Sequence, residues 1–396
     1  MKSIKKENII FTASHLYLFW TTGVYYLWEL SEKYNVVLFV EDYYKSDQKF
    51  IRLYKHLKID KIVYYKMYRN PIVSHYYFNK ICNKIVLEFS PKIIYHYNHK
   101  WIWNQYLSNW SRLLCKDCEN KVYVNAQLRK TTNAAIMNDL WETIITEKSK
   151  KYFIPKWILR KSIHMLRKMK RFVEYSLFPF IILGHIPQRT FRKSNLVPFN
   201  TIECYFDLDV KILQDSIKQG NQLIKKINII IINHPVKIIG NNCNKFLYGS
   251  QVDNSIVLFP SMVGFNNIQT ELTGINNWIK VANIFKRKFP DYKIKLKMHP
   301  GVKGNRYLNK INQYFKENCS DLELLHPSRN AQELIYYSNV IVSDVSTILW
   351  LASFFEDKTN ISMDFSNFLG SDDMKYYDNI HYFDSLDKLE KFQFTY

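Results

Sequence analysis

Short apolar runs rich in β-branched and aromatic residues alternate with polar or amphipathic stretches along most of the chain. Such runs are typical of parallel strands buried on both faces of an open α/β sheet. A first series comprises residues 8–12, 36–40, 61–65, 92–95 and 122–125. A second series comprises residues 227–232, 255–259, 293–298, 322–325, 340–342 and 359–362. Helical spacing is found in residues 276–289, 331–337 and 348–355. The pattern predicts two doubly wound α/β sheets.

The two series of strands divide the 396 residues into domains and the segments between them. This length is typical of two or three globular units of roughly 100–200 residues each. We predict an N-terminal Rossmann-like domain over residues 1–147 and a C-terminal Rossmann-like domain over residues 255–396. Residues 148–200 are interpreted as a basic amphipathic helical segment, and residues 201–254 as a linker or hinge.

Positive charge is in excess, because 56 lysine and arginine residues face 35 acidic residues, for a net charge of +21. An anionic partner is expected, and nucleic acid, an anionic membrane surface and a phosphorylated substrate are the candidate classes. Part of the excess is compositional, since the abundant Lys, Asn, Ile and Tyr are the residues that AT-rich codons favour. From Lys148 to Arg171, however, ten cationic residues occur without one acid.

The acid-free segment from Lys148 to Arg171 has the pattern of an amphipathic helix. At about 100° per residue one face carries cations, namely Lys156, Arg160, Arg167 and Arg171. The opposite face is apolar and carries Ile154, Ile158, Met165, Met169 and Phe172. Such a helix suits an anionic membrane surface. The alternative is that the apolar face packs on the protein's own core. Nucleic acid is not an expected partner, because no nucleic-acid-binding motif accompanies the segment.

The second half of the chain contains two polar sites at predicted strand ends. The strand over residues 293–298 includes Lys297 and leads directly into His299 and Pro300. Ligands bind at the carboxyl ends of strands in open α/β sheets, and an imidazole there can donate to a phosphate oxygen or protonate a leaving group. A solvent-exposed position is the alternative for Lys297.

The other polar site follows the strand over residues 340–342 and comprises Ser343, Asp344, Ser346 and Thr347. Hydroxyl groups and free backbone N–H groups at a helix start can bind a phosphate. The alternative is simple N-capping by Ser346 or Thr347. Two further residues are candidates for contact with the same ligand: Ser261 after the strand over residues 255–259, and Glu333 at a helix start. His234 and Pro235 are interpreted as hinge structure.

The sequences KLKMHPG and NVIVSDVST, in that order, resemble the C-terminal half of GT-B-fold transferases that build bacterial surface polymers. The similar groups are the CDP-glycerol glycerophosphotransferases and the sialyl- and capsule transferases with an HP motif. The resemblance covers residues 255–364. It implies two Rossmann-like domains facing a cleft, with His299 and Pro300 in the donor-site motif and Ser346 and Thr347 at the donor phosphate.

The resemblance also implies a reaction in which the first domain positions an acceptor. A base must then act on the acceptor hydroxyl, while charge on the departing phosphate is stabilised. Of the first-domain candidates we favour His15 and Asp42, each just past a predicted strand, over Glu41, His96 and His99. His299 is the candidate on the donor side. No Asp-x-Asp pair stands out, so we expect no metal and no cofactor besides the activated donor.

The predicted function is transfer of a sugar or polyol phosphate from a CMP-, CDP- or UDP-linked donor to a growing bacterial surface glycan, either free or lipid-linked. The alternatives are a UDP-sugar 2-epimerase-like isomerase and a noncatalytic membrane or nucleic-acid binding protein. Because the N-terminal apolar run is interrupted at Thr12, Ser14 and His15, no signal peptide is predicted. Six scattered cysteines suit a reducing compartment. We expect a cytoplasmic protein at the inner face of the membrane.

Overall fold

A computed structural model describes most of both strand-rich regions. The described residues are 6–13, 19–59, 61–68, 71–97, 102–123, 155–159, 161–162, 165, 199–218, 228–250, 253–260, 268–300, 308–344, 346–365 and 371–394. The chain divides into two compact units, one built on a seven-stranded sheet and the other on a six-stranded sheet. All strand pairs in both sheets are parallel, as the buried apolar runs predict.

The first unit contains seven strands in the order β3-β2-β1-β4-β5-β6-β7. The strands are β1 Asn8–Thr12, β2 Asn35–Glu41, β3 Lys61–Tyr65, β4 Ile93–His96, β5 Glu119–Tyr123, β6 Thr201–Cys204 and β7 Asn228–Ile231. The helices are α1 Val24–Lys33, α2 Gln48–His56, α3 Pro71–Phe89, α4 Ile102–Leu114, α5 Asp207–Lys218 and α6 Val236–Tyr248. Phe19–Gly23 forms a π-helical turn, and Asp42–Ser46 forms a 3-10 helix.

The core of the first unit fills because its central strands are apolar on both faces. One side is packed by large buried side chains, including Phe39, Tyr65, Phe78, Trp103 and Leu107. Strand order reverses between β1 and β4, so the carboxyl ends of these strands mark the switch point of this sheet.

Residues 201–254 differ from their interpretation as linker or hinge. They contribute β6 and β7 to the first sheet, with Ile202 opposite Val122 and Ile229 opposite Ile202. The β6 sequence, TIEC, has no apolar run because Glu203 interrupts it. The isoleucines of β7 form such a run, but β7 is the last strand of the first sheet and not the start of the second.

The second unit contains six strands in the order β10-β9-β8-β11-β12-β13. The strands are β8 Ser255–Phe259, β9 Lys293–Lys297, β10 Leu322–Leu325, β11 Val340–Ser343, β12 Thr359–Met363 and β13 Ile380–Phe383. The helices are α7 Ile268–Lys288, α8 Leu308–Asn318, α9 Ala331–Tyr337, α10 Thr347–Ala352 and α11 Leu386–Lys391, and Ser371–Tyr376 forms a 3-10 helix. The five strands predicted for this region are confirmed, and β13 is an additional edge strand.

One face of the second sheet is closed by a large apolar core. Alternate strand residues such as Leu258, Leu296 and Val342 point into it and meet Trp278 and Phe285 of α7. The opposite face carries the other half of each strand, including the lysines of β9. Because the side-chain period of a strand is two, the lysines at positions 293, 295 and 297 share that face.

Most of the basic segment from Lys148 to Arg171 lies outside the described residues. Three described apolar side chains of this segment are exposed, Trp157 by 63%, Ile158 by 37% and Met165 by 59%, and Leu159 is half-buried. At these three positions, packing on the protein's own core is therefore not observed. Among the helices of the described ranges, none is both long and apolar enough to cross a membrane.

Candidate functional site

Three neighbouring strands of the second sheet end at the polar motifs. The chain runs from β8 to β9 and β10 and then returns to β11 beside β8, so strand order reverses next to β8. Because all these strands are parallel, the residues after Phe259, Lys297 and Ser343 lie along one edge of the sheet. The ends of β9 and β11 are about 10 Å apart across β8, two strand spacings. Ligands of open α/β sheets bind at such a reversal.

Lys297 ends β9 and is 1% exposed. Its Nζ donates to the backbone oxygen of Met298 at 3.3 Å. Burial lowers the pKa of Lys297 to about 8, so the amine remains mostly protonated at neutral pH. The alternative that this lysine is solvent-exposed is wrong. A buried cation therefore lies at the carboxyl end of β9.

His299 and Pro300 follow β9 after one residue, Met298, and His299 lies near enough to Lys297 to be affected by its charge. The His299 residue has an exposed surface, but the protein atoms around its ring and, second, the positive charge of Lys297 lower its pKa. The imidazole is therefore mainly neutral at pH 7 and can donate one N–H to a ligand oxygen. The positive charge at this strand end comes from Lys297.

The four residues of the second motif have different surroundings. Ser343 is buried, and its hydroxyl donates to the backbone oxygen of Phe259 at 2.6 Å, which fastens the end of β11 to β8. Since a serine has only one hydroxyl hydrogen, Ser343 has none left for a phosphate. Asp344, partly buried, follows at the strand end, and Thr347 is exposed as the first residue of α10.

Ser346 is the N-cap of α10, because its Oγ accepts a hydrogen bond from the backbone N–H of Ile348 at 3.2 Å. The capping alternative is therefore observed. It is compatible with ligand binding, since an oxygen that accepts a hydrogen bond keeps its own hydroxyl hydrogen for donation. Helix α10 has six residues, so its dipole is a minor source of attraction for an anion.

The remaining donor-site candidates are placed as follows. Glu333 lies in the first turn of α9, after β10, and its Oε1 accepts from Nη2 of Arg329 at 2.6 Å. A carboxylate has two oxygens, so this pair still permits contact with a ligand hydroxyl. Ser261 lies outside the described residues.

Only some of the candidate bases of the first domain lie within the described residues. Asp42 begins the 3-10 helix after β2 and is partly buried, while His15 and His99 lie outside the described residues. His96 is fully buried, with its Nε2 2.9 Å from Oδ1 of Asn120, and burial lowers its pKa to about 4. His96 is therefore a neutral core residue, and the base stays a prediction that rests on Asp42 and His15.

No protein-family model and no curated protein matches this chain. Solved structures match over nearly its whole length. A UDP-N-acetylglucosamine 2-epimerase aligns over 95% of this chain and 82% of its own, with a TM-score of 0.54 and 10% identity. A putative UDP-N-acetylglucosamine 2-epimerase from Listeria monocytogenes aligns over 91% and 80%, with a TM-score of 0.53 and 9% identity. A glycosyltransferase from Rickettsia africae ESF-5 aligns over 98% and 86%, with a TM-score of 0.50 and 11% identity.

The fold is of the GT-B type. At such low identities the likeness concerns the fold alone, and the neighbours named are enzymes of two kinds, isomerases and a transferase. The strand reversal in each sheet is the place where a GT-B domain of this topology offers a binding edge.

A buried polar cluster in the first unit was not predicted from the sequence. Glu203 of β6 is 4% exposed, and its Oε2 accepts from the hydroxyl of Tyr26 at 3.0 Å. The Tyr26 and Tyr205 hydroxyl oxygens are 2.7 Å apart. Burial raises the pKa of Glu203 to about 7. An acid within an otherwise apolar TIEC segment was the available signal, but the linker interpretation of residues 201–254 obscured it.

His234 packs against the same cluster, with its ring centroid 4.7 Å from that of Tyr205. The backbone N–H of Val236 donates to its Nδ1 at 3.1 Å, and burial lowers the pKa of His234 to about 3. This histidine is part of a packed core and is not a hinge. Within the described ranges, no group of three or more His, Cys, Asp or Glu side chains is arranged to hold a metal ion. Metal-independent chemistry remains a prediction.

Proposed function

We propose that the protein is a GT-B transferase that moves a sugar or polyol phosphate from a nucleotide-activated donor to a growing bacterial surface glycan. The observation that carries the proposal is the presence of a buried cation and an imidazole at the end of β9 and of a capping hydroxyl after the end of β11, two strands that flank β8. These groups belong to Lys297, His299 and Ser346. Nucleotide-sugar enzymes among the similar structures support a nucleotide-activated donor.

In the proposed reaction, the groups at the ends of β9 and β11 stabilise the charge of the leaving phosphate. In sugar transfer, the bond from the sugar carbon to the phosphate oxygen breaks and a bond from that carbon to the acceptor oxygen forms. The acceptor proton passes to a base, for which Asp42 and His15 are the candidates, and the electron pair stays on the nucleotide phosphate. A fixed cation and N–H or O–H donors are suited to that developing charge.

Nucleotide binding is the first test of the donor site. Calorimetric titration with CMP, CDP, UMP and UDP should give measurable binding to the unmodified protein. His299→Ala and Ser346→Ala should each lower the affinity for the nucleotide about tenfold or more, as expected for loss of a hydrogen bond to a charged group. Ser385→Ala is the matched control, because Ser385 caps another six-residue helix of the same unit, through the N–H of Lys388.

Equal binding to the Ser346 and Ser385 variants would contradict the assignment of Ser346. Failure of all four nucleotides to bind the unmodified protein would contradict the donor site itself.

A turnover assay is the second test, with nucleotide sugars and CDP-glycerol as donors, with and without a pool of lipid-linked glycans. Dependence on the acceptor supports a transferase of the glycerophosphotransferase or sialyl- and capsule transferase kind. Acceptor-free interconversion of a UDP-sugar would instead identify an isomerase.

Peripheral association with an anionic membrane is part of the proposal. It is supported by the exposed Trp157, Ile158 and Met165 among exposed lysines, of which Lys156 and Lys161 are described. An indole at the headgroup level, flanked by cations, is a favourable combination at an anionic interface. The acceptor, free or lipid-linked, would then be met at the surface where such glycans are assembled.

Vesicle sedimentation tests this part separately. Binding to vesicles that contain an anionic phospholipid should exceed binding to zwitterionic vesicles and should weaken with added salt. Trp157→Ala and Lys156→Glu/Lys161→Glu should reduce sedimentation, whereas Tyr76→Ala removes an equally exposed aromatic residue elsewhere and should not. If the Trp157 and Tyr76 variants sediment alike, the basic segment is not the membrane contact.

A further inference from the structure

The turn between α4 and β5 contains the two most closely spaced cysteines of the chain, Cys115 and Cys118. The backbone N–H of Cys115 donates to the Ser111 oxygen at 2.7 Å and so closes the last turn of α4. The backbone N–H of Cys118 donates to the Cys115 oxygen at 2.9 Å. Strand β5 begins at the next residue, Glu119. The two cysteines are therefore held at the ends of one tight turn between a helix and a strand.

The geometry of this turn suits a disulfide bond between its first and last residues. A turn closed by a hydrogen bond from its fourth residue to its first brings the two Cα atoms within about 7 Å of each other. Disulfide bonds join Cα atoms that are about 4.4–6.8 Å apart. The pKa of Cys118 is raised mainly by burial, but the charge of a Cys115 thiolate raises it further, so the two thiols lie within electrostatic reach.

The two thiols differ in their access to solvent. Cys118 is 7% exposed and belongs to the apolar core of the first unit, whereas Cys115 packs at the border of that core and has exposed surface. Lys116 and Asp117, which separate them, are exposed. A reagent from solution can therefore reach Cys115 first. Cys118 is placed to react with Cys115 rather than with a second molecule of the reagent.

The other four cysteines have different surroundings. Cys82, Cys204 and Cys243 are fully buried. Cys319 has exposed surface, as Cys115 does, but it lies in the second unit, where its Sγ donates to Oδ1 of Asn283 at 3.7 Å. No other cysteine is near Cys319 in the sequence. It therefore offers a single partly exposed thiol for comparison with the pair.

The surroundings of the pair keep both thiols protonated at neutral pH. Burial raises the pKa of Cys115, and it raises the pKa of Cys118 to about 12, against a smaller lowering by the Ser111 hydroxyl. Since the thiolate is the attacking species, exchange should be slow at pH 7 and should become up to about tenfold faster per pH unit as pH rises. Because no thiolate is stabilised in the reduced form, the disulfide should not be a strong oxidant.

We propose that Cys115 and Cys118 are a reversible dithiol and disulfide pair that exchanges with low-molecular-weight disulfides such as oxidised glutathione. The Cys115 thiolate attacks one sulfur of glutathione disulfide, whose S–S bond breaks and releases one glutathione thiolate. The Cys118 thiolate then attacks the Cys115 Sγ of the mixed disulfide, and the second glutathione thiolate leaves. Two electrons pass from the protein to glutathione, and the two thiol protons are taken up by the released thiolates.

The pair would respond to the thiol and disulfide balance of its compartment. Under reducing conditions, which the scattered cysteines suit, it remains a dithiol, and it closes when the compartment becomes oxidising. This inference is independent of the proposed transfer reaction, because it involves neither the polar groups at the ends of β9 and β11 nor a nucleotide.

The experiment is equilibration of the reduced full chain in glutathione buffers of increasing oxidised fraction, followed by an acid quench, alkylation of free thiols and tryptic digestion. Cleavage after Arg112, Lys116 and Lys121 places Cys115 and Cys118 on separate peptides, LLCK and DCENK. In the unmodified protein these peptides should appear joined, two hydrogen atoms lighter than the reduced pair. The joined fraction should follow the ratio of oxidised glutathione to the square of reduced glutathione, and dithiothreitol should abolish it.

Single substitutions identify the role of each thiol. Cys115→Ser should give no joined peptides. Cys118→Ala should accumulate glutathione on Cys115 as a mixed disulfide, because the thiol that resolves this intermediate is missing. Cys319→Ser is the matched control, since it removes a partly exposed cysteine of the second unit and should leave the joined peptides unchanged. The joined peptides are measured on the unmodified protein, so the test does not depend on the folding of any variant.

Three results would overturn the inference. The first is glutathione attached to Cys115 of the unmodified protein without joined peptides, which would mean that Cys118 cannot reach the mixed disulfide. The second is linkage of either cysteine to a different one. The third is no reaction of the pair even at about pH 8.5, where thiolates are more abundant, while Cys319 acquires glutathione. None of these results bears on nucleotide binding, so the donor-site proposal is tested separately.

Discussion

Each of the two sheets buries an ionisable group near the carboxyl end of a strand, Glu203 on β6 and Lys297 on β9, and the two groups have different surroundings. In the first unit, Glu203 accepts from the Tyr26 hydroxyl at 3.0 Å, and Tyr205 extends the network. In the second unit, Lys297 has a single backbone oxygen 3.3 Å away. Burial moves each pKa toward neutrality, to about 7 for Glu203 and about 8 for Lys297.

The difference indicates two purposes for burial of a polar group. A carboxyl group within a hydrogen-bonded network can remain protonated at low pH and needs nothing from outside the protein. A buried ammonium without a neighbouring acid carries an uncompensated charge, which an anionic ligand would neutralise. The comparison therefore favours a mainly structural role for the Glu203 cluster, and a ligand-binding role for Lys297 stays a prediction.

The largest expected effect on stability comes from removal of the Lys297 charge. Burial lowers the Lys297 pKa from 10.5 to about 8, which corresponds to about 3 kcal/mol of destabilisation at neutral pH. We expect Lys297→Met to raise the free energy of unfolding without ligand by about 2–3 kcal/mol at pH 7. Because the folded-state pKa is depressed, this gap should narrow as pH rises from about 8 toward 10.5.

Urea unfolding of the ligand-free Lys297→Met and unmodified proteins at pH 7 and pH 9.5 measures the gap. If the difference in free energy of unfolding between the two proteins does not change with pH, burial does not destabilise the charged form of Lys297. A Lys297→Met protein less stable than the unmodified one would mean that the Lys297 ammonium is stabilised by contacts inside the fold.

Glu203→Gln should have a somewhat smaller effect, because the carboxyl group already accepts from Tyr26. Its folded-state pKa is raised from 4.5 to about 7, so the unmodified protein should lose stability as pH rises from about 4.5 through 7. We expect Glu203→Gln to remove that loss and to be more stable by roughly 2 kcal/mol at pH 8. Urea unfolding between pH 4.5 and pH 8 measures the difference.

Tyr26→Phe is the matched control for Glu203→Gln. It keeps the acid but removes the hydroxyl that donates to it, so it should lower stability by about 1–3 kcal/mol at pH 8, where the carboxylate is charged. If the stabilities of Tyr26→Phe and Glu203→Gln instead depend on pH in the same way, the pKa of Glu203 is not set by this cluster. The comparison with Lys297 then fails.

The same contrast explains which features were predictable from the sequence. Strands β8 and β11 were predictable because their sequences, SIVLF and VIVS, are short apolar runs that are buried along their whole length. Strand β6 was not, because Glu203 breaks its apolar pattern, and the sequence does not reveal that Tyr26, 177 positions away, supplies the partner. Local signals such as the N-cap at Ser346 are encoded within a few residues and were predicted as one alternative.

Pairing across the sheet was beyond prediction for a similar reason. The lysines at positions 295 and 297 are equivalent in the pattern of β9, and only the position of Asp253 in the fold decides which is neutralised. Likewise, Ser343 was a phosphate-binding candidate until the order of β8 and β11 placed its hydroxyl 2.6 Å from the Phe259 oxygen. Long-range register turns equivalent residue types into different roles.

Ser346→Ala should reduce stability by about 1 kcal/mol, the usual cost of losing an N-cap hydroxyl. Ser385→Ala should have a similar effect, since Ser385 caps α11 in the same way. Thermal unfolding measures both costs, and nucleotide titration shows which serine has a second role. A large loss of stability in the Ser346 variant alone would mean that this hydroxyl supports the strand end rather than the ligand.

Glu333→Gln should give the smallest change in stability and sharpens the comparison in the second unit. Its ion pair with the exposed Arg329, which precedes α9, is a surface pair, and such pairs contribute only about 0–1 kcal/mol. If the second carboxylate oxygen accepts from a ribose hydroxyl, the variant should bind a ribonucleotide a few-fold more weakly and its 2′,3′-dideoxy counterpart unchanged. Arg329→Ala loses the same ion pair and keeps the carboxylate, so it should not alter this preference. Titration of all three proteins with UDP and 2′,3′-dideoxy-UDP therefore separates a carboxylate that binds the ligand from one whose hydrogen bonds are made within the fold, as those of Glu203 are. Equal weakening toward both nucleotides would place Glu333 in the second class.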